Sequence, residues 1–458
     1  MFAPLAWFKR GLPAQRLTPT QILFLGYVVI IGIGAGLLLL PISTPDGGIS
    51  WVDAVFTATS ATSITGLIVL DTPRDFTLFG QLVILGLIQI GGIGYMTIAA
   101  LLVIILGRRI GMQERRLLQE SLNLMSPEDI LRFVLQVVKI TFLIEGACAG
   151  VFALRFWEDF EPAYAVYYGI FHSISAFNNA GFTLFSNSLA TYRLDPVING
   201  VAMILIITGG IGFLVYGNVV GVIRKRDLRL SVHTKMVLSV TAVLIVMGTL
   251  VVLLFEHANP RTLGILSWPE KVMVAGFQVV SGRTAGFGTV DVSMFTDSTL
   301  YFVVFLMFVG GSPGSTGGGI KTTTFGTIVM ALWATMRGYR DVMVFYRRIP
   351  TDIVAKAFYL AGLAIVLVSV ATLVLTFVER QDFMSTLFEV TSAAATVGMS
   401  TGDGASHSLS ATFSDGGKLL IVLLMLIGRI GPLAISIAIV GGSQHARFRY
   451  AEEKLVIG

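Results

Sequence analysis

A chain of 458 residues that is 54% hydrophobic and 13% charged, with a mean hydropathy of +0.81, carries too much apolar surface for a soluble domain and reads as a polytopic membrane protein. Its 32 basic residues outnumber 27 acidic ones, a formal net charge of +5, but no aromatic residues interleave with the basic clusters, so a nucleic-acid role is excluded. The single cysteine, Cys148, excludes an intramolecular disulfide and reads as packing in an apolar helix.

Lys9, Arg10 and Arg16 precede the first apolar run, Ile22 to Leu40, and no small-residue cleavage pattern follows it. Residues 1–18 therefore read as a cytoplasmic N-terminus and the run as a retained membrane helix. Further runs at Leu82 to Leu106, Val201 to Val222, Met236 to Phe255 and Ala357 to Val378 approach or exceed the roughly 20 residues that cross ~30 Å of hydrocarbon. Between them lie shorter stretches, Trp51 to Thr62, Tyr164 to Phe177, Pro269 to Ser281 and Phe383 to Ala394, too brief to span. Returning to the surface of entry is the economical course for each.

Each short stretch runs into a similar segment: Phe56-Thr-Ala-Thr-Ser60-Ala-Thr-Ser-Ile-Thr-Gly66, Phe171-His-Ser-Ile-Ser175-Ala-Phe-Asn-Asn-Ala-Gly181, Phe277-Gln-Val-Val-Ser281-Gly-Arg-Thr-Ala-Gly286 and Phe388-Glu-Val-Thr-Ser392-Ala-Ala-Ala-Thr-Val-Gly398. The glycines recur about every 110 residues, so one unit of helix, re-entrant pore helix, extended loop and helix is written four times. The fold expected is an all-α membrane protein of four such tandem units, with eight transmembrane helices and four re-entrant pore loops, around one pseudo-fourfold ion path. The units cover residues 19–107, 108–223, 224–337 and 338–441, and residues 442–458 form a cytoplasmic tail.

Charge supports the same topology. Basic clusters such as Arg108, Arg109, Arg115 and Arg116, then Arg224 to Lys235, then Arg337 to Lys356, lie between units, and Arg447, Arg449 and Lys454 follow the last. Both termini and all inter-unit links are thus expected to be cytoplasmic. The outer loops carry acids, including Asp46, Asp71, Asp75, Glu158, Asp291 and Asp382, and a mouth of that sign concentrates cations.

A backbone whose carbonyls converge on one axis needs dihedrals that only glycine adopts without steric cost. Irregular backbone at membrane depth is tolerated where it lines a wet path, and rings of carbonyl oxygens replace the water of a monovalent cation. The stretches 63–67, 178–182, 283–287 and 395–399 contain no carboxylate, so a calcium or magnesium site does not compete. The candidate filter residues are Ile64, Thr65 and Gly66, Asn179, Ala180 and Gly181, Thr284, Ala285 and Gly286, and Thr396, Val397 and Gly398. They are expected to act through main-chain oxygen on a monovalent cation. The third segment has nine steps from phenylalanine to glycine where the others have ten, which leaves its register open.

The second helix of each unit bears another mark: Gly91-Gly92-Ile93-Gly94, Gly209-Gly210-Ile211-Gly212, Gly310-Gly311-Ser312-Pro313-Gly314 and Gly428-Arg429-Ile430-Gly431. In the first two units the glycines read as sites of close backbone packing. In the third, the run Gly310, Gly311, Ser312, Pro313, Gly314, Ser315, Thr316, Gly317, Gly318 and Gly319 breaks the helix ahead of Ile320 and Lys321. It is expected to be a flexible loop, and either a gate beneath the filter or a packing kink; a phosphate loop is rejected because Ile320 separates the last glycine from Lys321. Arg429 places a guanidinium within an apolar helix, and reads as a barrier on the ion path or as a structural anchor bonded to an acid or to carbonyls.

Arg283-Thr-Ala-Gly286-Phe287, Asn179-Ala-Gly181-Phe182, the break after Gly310, Arg429 and the ending Glu452-Glu-Lys-Leu-Val-Ile-Gly458 together resemble the Ktr, Trk and HKT superfamily of potassium transporters, in particular its KtrB type of membrane subunit. The resemblance covers nearly the whole chain. It implies a bacterial plasma-membrane (inner-membrane) homodimer that mediates potassium uptake, often sodium-dependent, on a cytoplasmic ring of nucleotide-binding KtrA-like subunits. It places the nucleotide on the partner, with no cofactor in this chain. In that family a glycine in all four filter segments accompanies potassium permeation and a serine in the first accompanies sodium preference; Gly66, Gly181, Gly286 and Gly398 are all glycine here.

Arg283, beside the path, is expected to turn behind the filter toward an acidic partner. The rival is a secondary symporter with alternating access, whose broken helices also bind ions at mid-membrane. Inverted repeats need an odd number of passes per unit, whereas two passes give all four units one orientation. An enzyme is not expected: no paired carboxylates or nucleophile with a base recur, and the five histidines are scattered, so a metal-ligand cluster is not expected either.

Overall fold

In an apolar surround only a helix satisfies every backbone N–H and C=O within its own segment. The computed structural model, described over residues 19–94, 130–225, 229–402 and 407–431, is accordingly built of helices. The expected N-terminus (1–18), the C-terminal tail (442–458), the basic cluster Arg108 to Arg116 and the end of the Leu82 to Leu106 run lie outside these residues.

Each unit opens with a long apolar helix: α1 (Pro19–Leu38), α4 (Ile130–Phe156), α8 (Val232–Glu256) and α12 (Thr351–Glu379). These four are long and apolar enough to cross a membrane. The second helices are α3 (Leu78–Ile93), α6 with α7 (Pro196–Ile211, Phe213–Ile223), α10 with α11 (Asp297–Phe308, Thr322–Met336) and α14 (Asp415–Ile430). A break was expected in the third unit alone, yet the Val201 to Val222 run also bends, by 94° between α6 and α7. The cause is Gly212, whose φ of +97° ends one helix and starts the next; Gly94 and Gly431 end α3 and α14 in the same way, at +84° and +97°. Counting the bent pair, five spans among the described residues meet the length criterion, against the eight read from the sequence.

The pore helices are α2 (Trp51–Ser63), α5 (Pro162–Phe177), α9 (Trp268–Ser281) and α13 (Phe383–Ala395), within two residues of the expected bounds. At 13 to 16 residues each is about 20–24 Å long and falls short of a span. Their starts are set by capping chemistry. Asp53 N–H donates to Ser50 Oγ at 3.1 Å, Ser385 N–H to Asp382 Oδ2 at 3.1 Å, and Ser267 with Glu270 forms a capping box.

Packing closes the four units into a circle. Four buried apolar clusters form, and each joins neighbouring units: Ile64 with Phe171 and Ala180, Phe177 with Phe277 and Ala285, Val279 with Phe388 and Val397, and Val390 with Phe56 and Leu67. Phe56, Phe171, Phe277 and Phe388, the aligned phenylalanines of the pore helices, are all fully buried. Ser408 and Ile68 exchange two hydrogen bonds of 2.9 Å, and Lys418 Nζ lies 2.8 Å from Asp53 Oδ1, tying the last unit to the first. A short hairpin, β1 (Met343–Val344) and β2 (Arg347–Arg348), links the third unit to the fourth.

Candidate functional site

The pore helices deliver the chain to one ring. Beyond each helix, two residues before a glycine, stands a non-glycine residue with positive φ: Ile64 (+59°), Asn179 (+58°), Thr284 (+83°) and Thr396 (+51°). The glycines follow at +87°, +73°, +77° and +88° for Gly66, Gly181, Gly286 and Gly398. One backbone path is thus repeated four times.

The glycines adjoin one another in sequence order. A Cβ on Gly66 would stand 2.5 Å from the Ala180 carbonyl oxygen, one on Gly181 2.9 Å from that of Ala285, and one on Gly286 2.5 Å from that of Val397. One on Gly398 would strike the carbonyl oxygen of Thr65, which completes the circuit. All twelve residues of the candidate filter are brought together; ten are buried, and Gly181 and Gly286 are partly exposed. Only glycine fits at the four corners, because any side chain would occupy the space of a neighbouring unit's carbonyl.

Serines hold this backbone, a role the sequence reading missed although they stand at one fixed place in the aligned segments. Ser60 Oγ donates to Leu67 O (2.7 Å) and accepts from Gly66 N–H (3.0 Å). Ser175 Oγ donates to Phe182 O (2.7 Å), Ser281 Oγ to Phe287 O (2.5 Å), and Ser392 Oγ accepts from Gly398 N–H (3.0 Å). These contacts fix the register of the third unit. Its missing residue falls between serine and glycine: Thr65, Ala180 and Val397 N–H bond the serine carbonyl five residues back, whereas Ala285 N–H bonds Ser281 O four residues back, all at 2.8 Å.

Arg283 departs from expectation. It is buried, but it forms no ion pair among the described residues; a guanidinium nitrogen lies 3.4 Å from the Gly310 carbonyl oxygen, the first of the glycine run. A carbonyl takes the place of the acid.

The run itself is bonded rather than loose. Gly310 N–H donates to Ile320 O (3.0 Å), Gly311 N–H to Gly318 O (3.1 Å), and Lys321 Nζ to Gly317 O (2.7 Å). It also touches three of the units directly and is linked to the first through Arg429. Ser312 N–H donates to Gly210 O (3.0 Å) and Phe213 N–H to Gly314 O (2.9 Å) in the second unit. In the third and fourth, a Cβ on Gly317 would stand 2.5 Å from Thr284 Oγ1, and one on Gly318 would strike Thr396 Oγ1. Arg429 donates to the carbonyls of Thr316 in the run and of Gly91 in the first unit. The partners of Arg429 among the described residues are main-chain carbonyls rather than an acid. The glycine pairs pack as expected: a Cβ on Gly91, Gly209 or Gly428 would strike the carbonyl of Thr62, Phe177 or Ala394 at the end of a pore helix.

Among the described residues no group of histidine, cysteine or acidic side chains could hold a metal ion. Four pore-helix C-termini, each the negative end of a helix dipole, lead into the ring, and such an arrangement favours a cation there.

Comparison with known proteins agrees with this chemistry. A family model described as cation transport protein, TrkH, matches residues 1–446. Ktr system potassium uptake protein B of Bacillus subtilis (strain 168) is 41% identical over 447 residues, which cover 97% of each chain. The protein of the same name from Vibrio alginolyticus is 36% identical over 438 residues, 96% of this chain and 94% of that one. Potassium/sodium uptake protein NtpJ of Enterococcus hirae is 34% identical over 451 residues, 97% of this chain and 98% of its own. The crystal structure of the potassium transporter TrkH from Vibrio parahaemolyticus shares the fold, with a TM-score of 0.72 at 21% identity over 94% of this chain and 87% of that one.

Proposed function

Because the chain belongs to the TrkH family of cation transport proteins, we propose that it carries potassium across the plasma membrane through the four-glycine ring. The observation that supports this most is the closed circuit of glycine against carbonyl around Gly66, Gly181, Gly286 and Gly398. Main-chain oxygens held by the backbone and its serines replace the water of a dehydrated monovalent ion, and the absence of carboxylates from the ring's segments favours single over double charge. The relatives named for potassium uptake support the choice of ion, and the one named for potassium and sodium supports a role for sodium as activator or companion.

The glycine run 310–319 is the gate in this reading: it lies against Thr284 and Thr396 of the ring and is held by Arg429 and Lys321. Both termini are cytoplasmic, the protein works as a homodimer, and a nucleotide-binding ring of the KtrA kind regulates it from that side. Support for a partner is that two relatives are named as component B of a Ktr system.

The test is rubidium and sodium flux in liposomes holding the purified protein alone, with Gly286→Ser beside it. Rubidium entry that exceeds sodium entry and is lost on substitution is the expected result. Flux that the substitution leaves intact would remove the ring from the path and favour alternating access elsewhere in the molecule.

A further inference from the structure

The residue just before the left-handed turn is anchored differently in each unit. Ser63 bonds within its own unit, to Thr59 O and Thr65 Oγ1 (2.6 and 2.7 Å); Arg283 reaches Gly310; Ala395 has no polar side chain. Asn178, the second unit's residue, is tied instead to two other helices. Its Nδ2 donates to Gln89 Oε1 on α3 of the first unit (2.9 Å), to Glu145 Oε1 on α4 (2.9 Å) and to Ile174 O (2.8 Å). Gln89 Nε2 in turn donates to Glu145 Oε2 (3.0 Å), and Ser173 Oγ to the Glu145 carbonyl (2.7 Å).

Glu145 is therefore the centre of an amide and carboxyl cluster that crosses from the first unit to the second beside Asn179, Ala180 and Gly181. It is 4% exposed and makes no ion pair among the described residues. A carboxyl group in the membrane interior is costly, and nothing in the packing of a transmembrane helix calls for one. The surroundings are shaped for the cluster: Gly92 leaves the space that Asn178 Oδ1 occupies, since a Cβ there would strike that oxygen.

We propose that Glu145 is a positioning residue for cation discrimination: its carboxyl oxygens fix Asn178 and Gln89, and through Asn178 they hold the second ring segment at the spacing that suits potassium. The inference rests on the ring being the ion path. Loss of the carboxyl frees Asn178 to relax, and a ring that relaxes loses preference before it loses flux.

The experiment is the rubidium-to-sodium flux ratio in liposomes for the wild type, Glu145→Ala, Glu145→Gln, Asn178→Ala and the double variant Glu145→Ala with Asn178→Ala, with Gly181→Ser as control. Glu145→Ala is expected to lower the ratio about tenfold, the scale of one unsatisfied buried hydrogen bond. Glu145→Gln, which keeps an acceptor for Asn178, is expected to restore it to within about threefold. The double variant should be no worse than either single one, the mark of residues acting as a unit. An unchanged ratio in folded Glu145→Ala overturns the proposal, as does a glutamine variant as impaired as alanine. Should Glu145→Ala fail to fold, an unchanged ratio in Asn178→Ala overturns it equally. If Gly181→Ser leaves the ratio intact, the ring reading itself falls; if only the Glu145 and Asn178 variants do, the ring stands and this inference alone is lost.

Discussion

A methyl group on Gly66 or Gly286 would sit 2.5 Å from a carbonyl oxygen of the next unit, so the ring admits hydrogen and nothing larger at its corners. Yet glycine alone leaves a backbone free, and the serine hydroxyls remove that freedom. Ser175→Ala would leave the Phe182 carbonyl without its 2.7 Å bond in a buried setting, at a cost of about 1–3 kcal/mol. The expected outcome is a lower thermal midpoint in detergent together with a reduced rubidium-to-sodium flux ratio; a stable variant with the wild-type ratio would show that the hydroxyl does not shape the ring. The glycines were legible in the sequence because four copies stood in register. The serines stood in register too, but a hydroxyl's partner is a matter of three dimensions, and these turn back on their own segment. Arg283 misled for a related reason: a buried guanidinium calls for acceptors, and sequence brings acids to mind before backbone carbonyls such as Gly310 O.

Among elements, the pore helices were read almost to the residue, since capping serine, aspartate or proline marks their starts and the repeated phenylalanine and serine their ends. The third segment's shortfall became a tighter turn rather than a shifted helix, because Phe277 and Ser281 keep the spacing of their counterparts and only the turn beyond them shortens. Breaks in the second helices were less legible: glycines in an apolar run are ordinary at packing contacts of membrane helices, and only the backbone reveals that Gly212 lies at φ +97°. Gly212 also abuts the glycine run, a Cβ there meeting Pro313 O at 2.6 Å, and Phe213 N–H bonds Gly314 O at 2.9 Å. Gly212→Ala then costs about 1–3 kcal/mol at the bend and loosens the run's hold on the second unit. Resting rubidium flux should rise severalfold at an unchanged rubidium-to-sodium ratio. A fall in the ratio would mean that the bend supports the ring instead.

For the whole molecule, closure is what four copies make possible. Each apolar cluster joins neighbouring units, so the ring is shaped by all four interfaces at once, and no single unit encloses a path. The glycine run breaks that symmetry. It belongs to the third unit but bonds Gly210 and Phe213 in the second, lies under Thr284 and Thr396, and accepts from Arg429, which also holds Gly91 of the first. On the gate reading, an element that meets three walls of the path directly and the first through Arg429, and that is absent from three of four copies, obstructs that path or paces it. Its opening must break the Arg429 bond to Thr316 O, a charge-assisted contact of about 1.5–3 kcal/mol, so Arg429→Ala is expected to raise rubidium flux by about tenfold or more. Shortening the run between Gly310 and Gly319 should raise it further, because the remaining bonds to the second unit go as well. In both variants the rubidium-to-sodium ratio should stay at the wild-type value, since the serines and Asn178 that hold the ring are untouched. Liposome flux decides the matter. A higher flux with a degraded ratio would make the run a buttress of the ring, and an unchanged flux in a folded, shortened protein would leave it a packing kink.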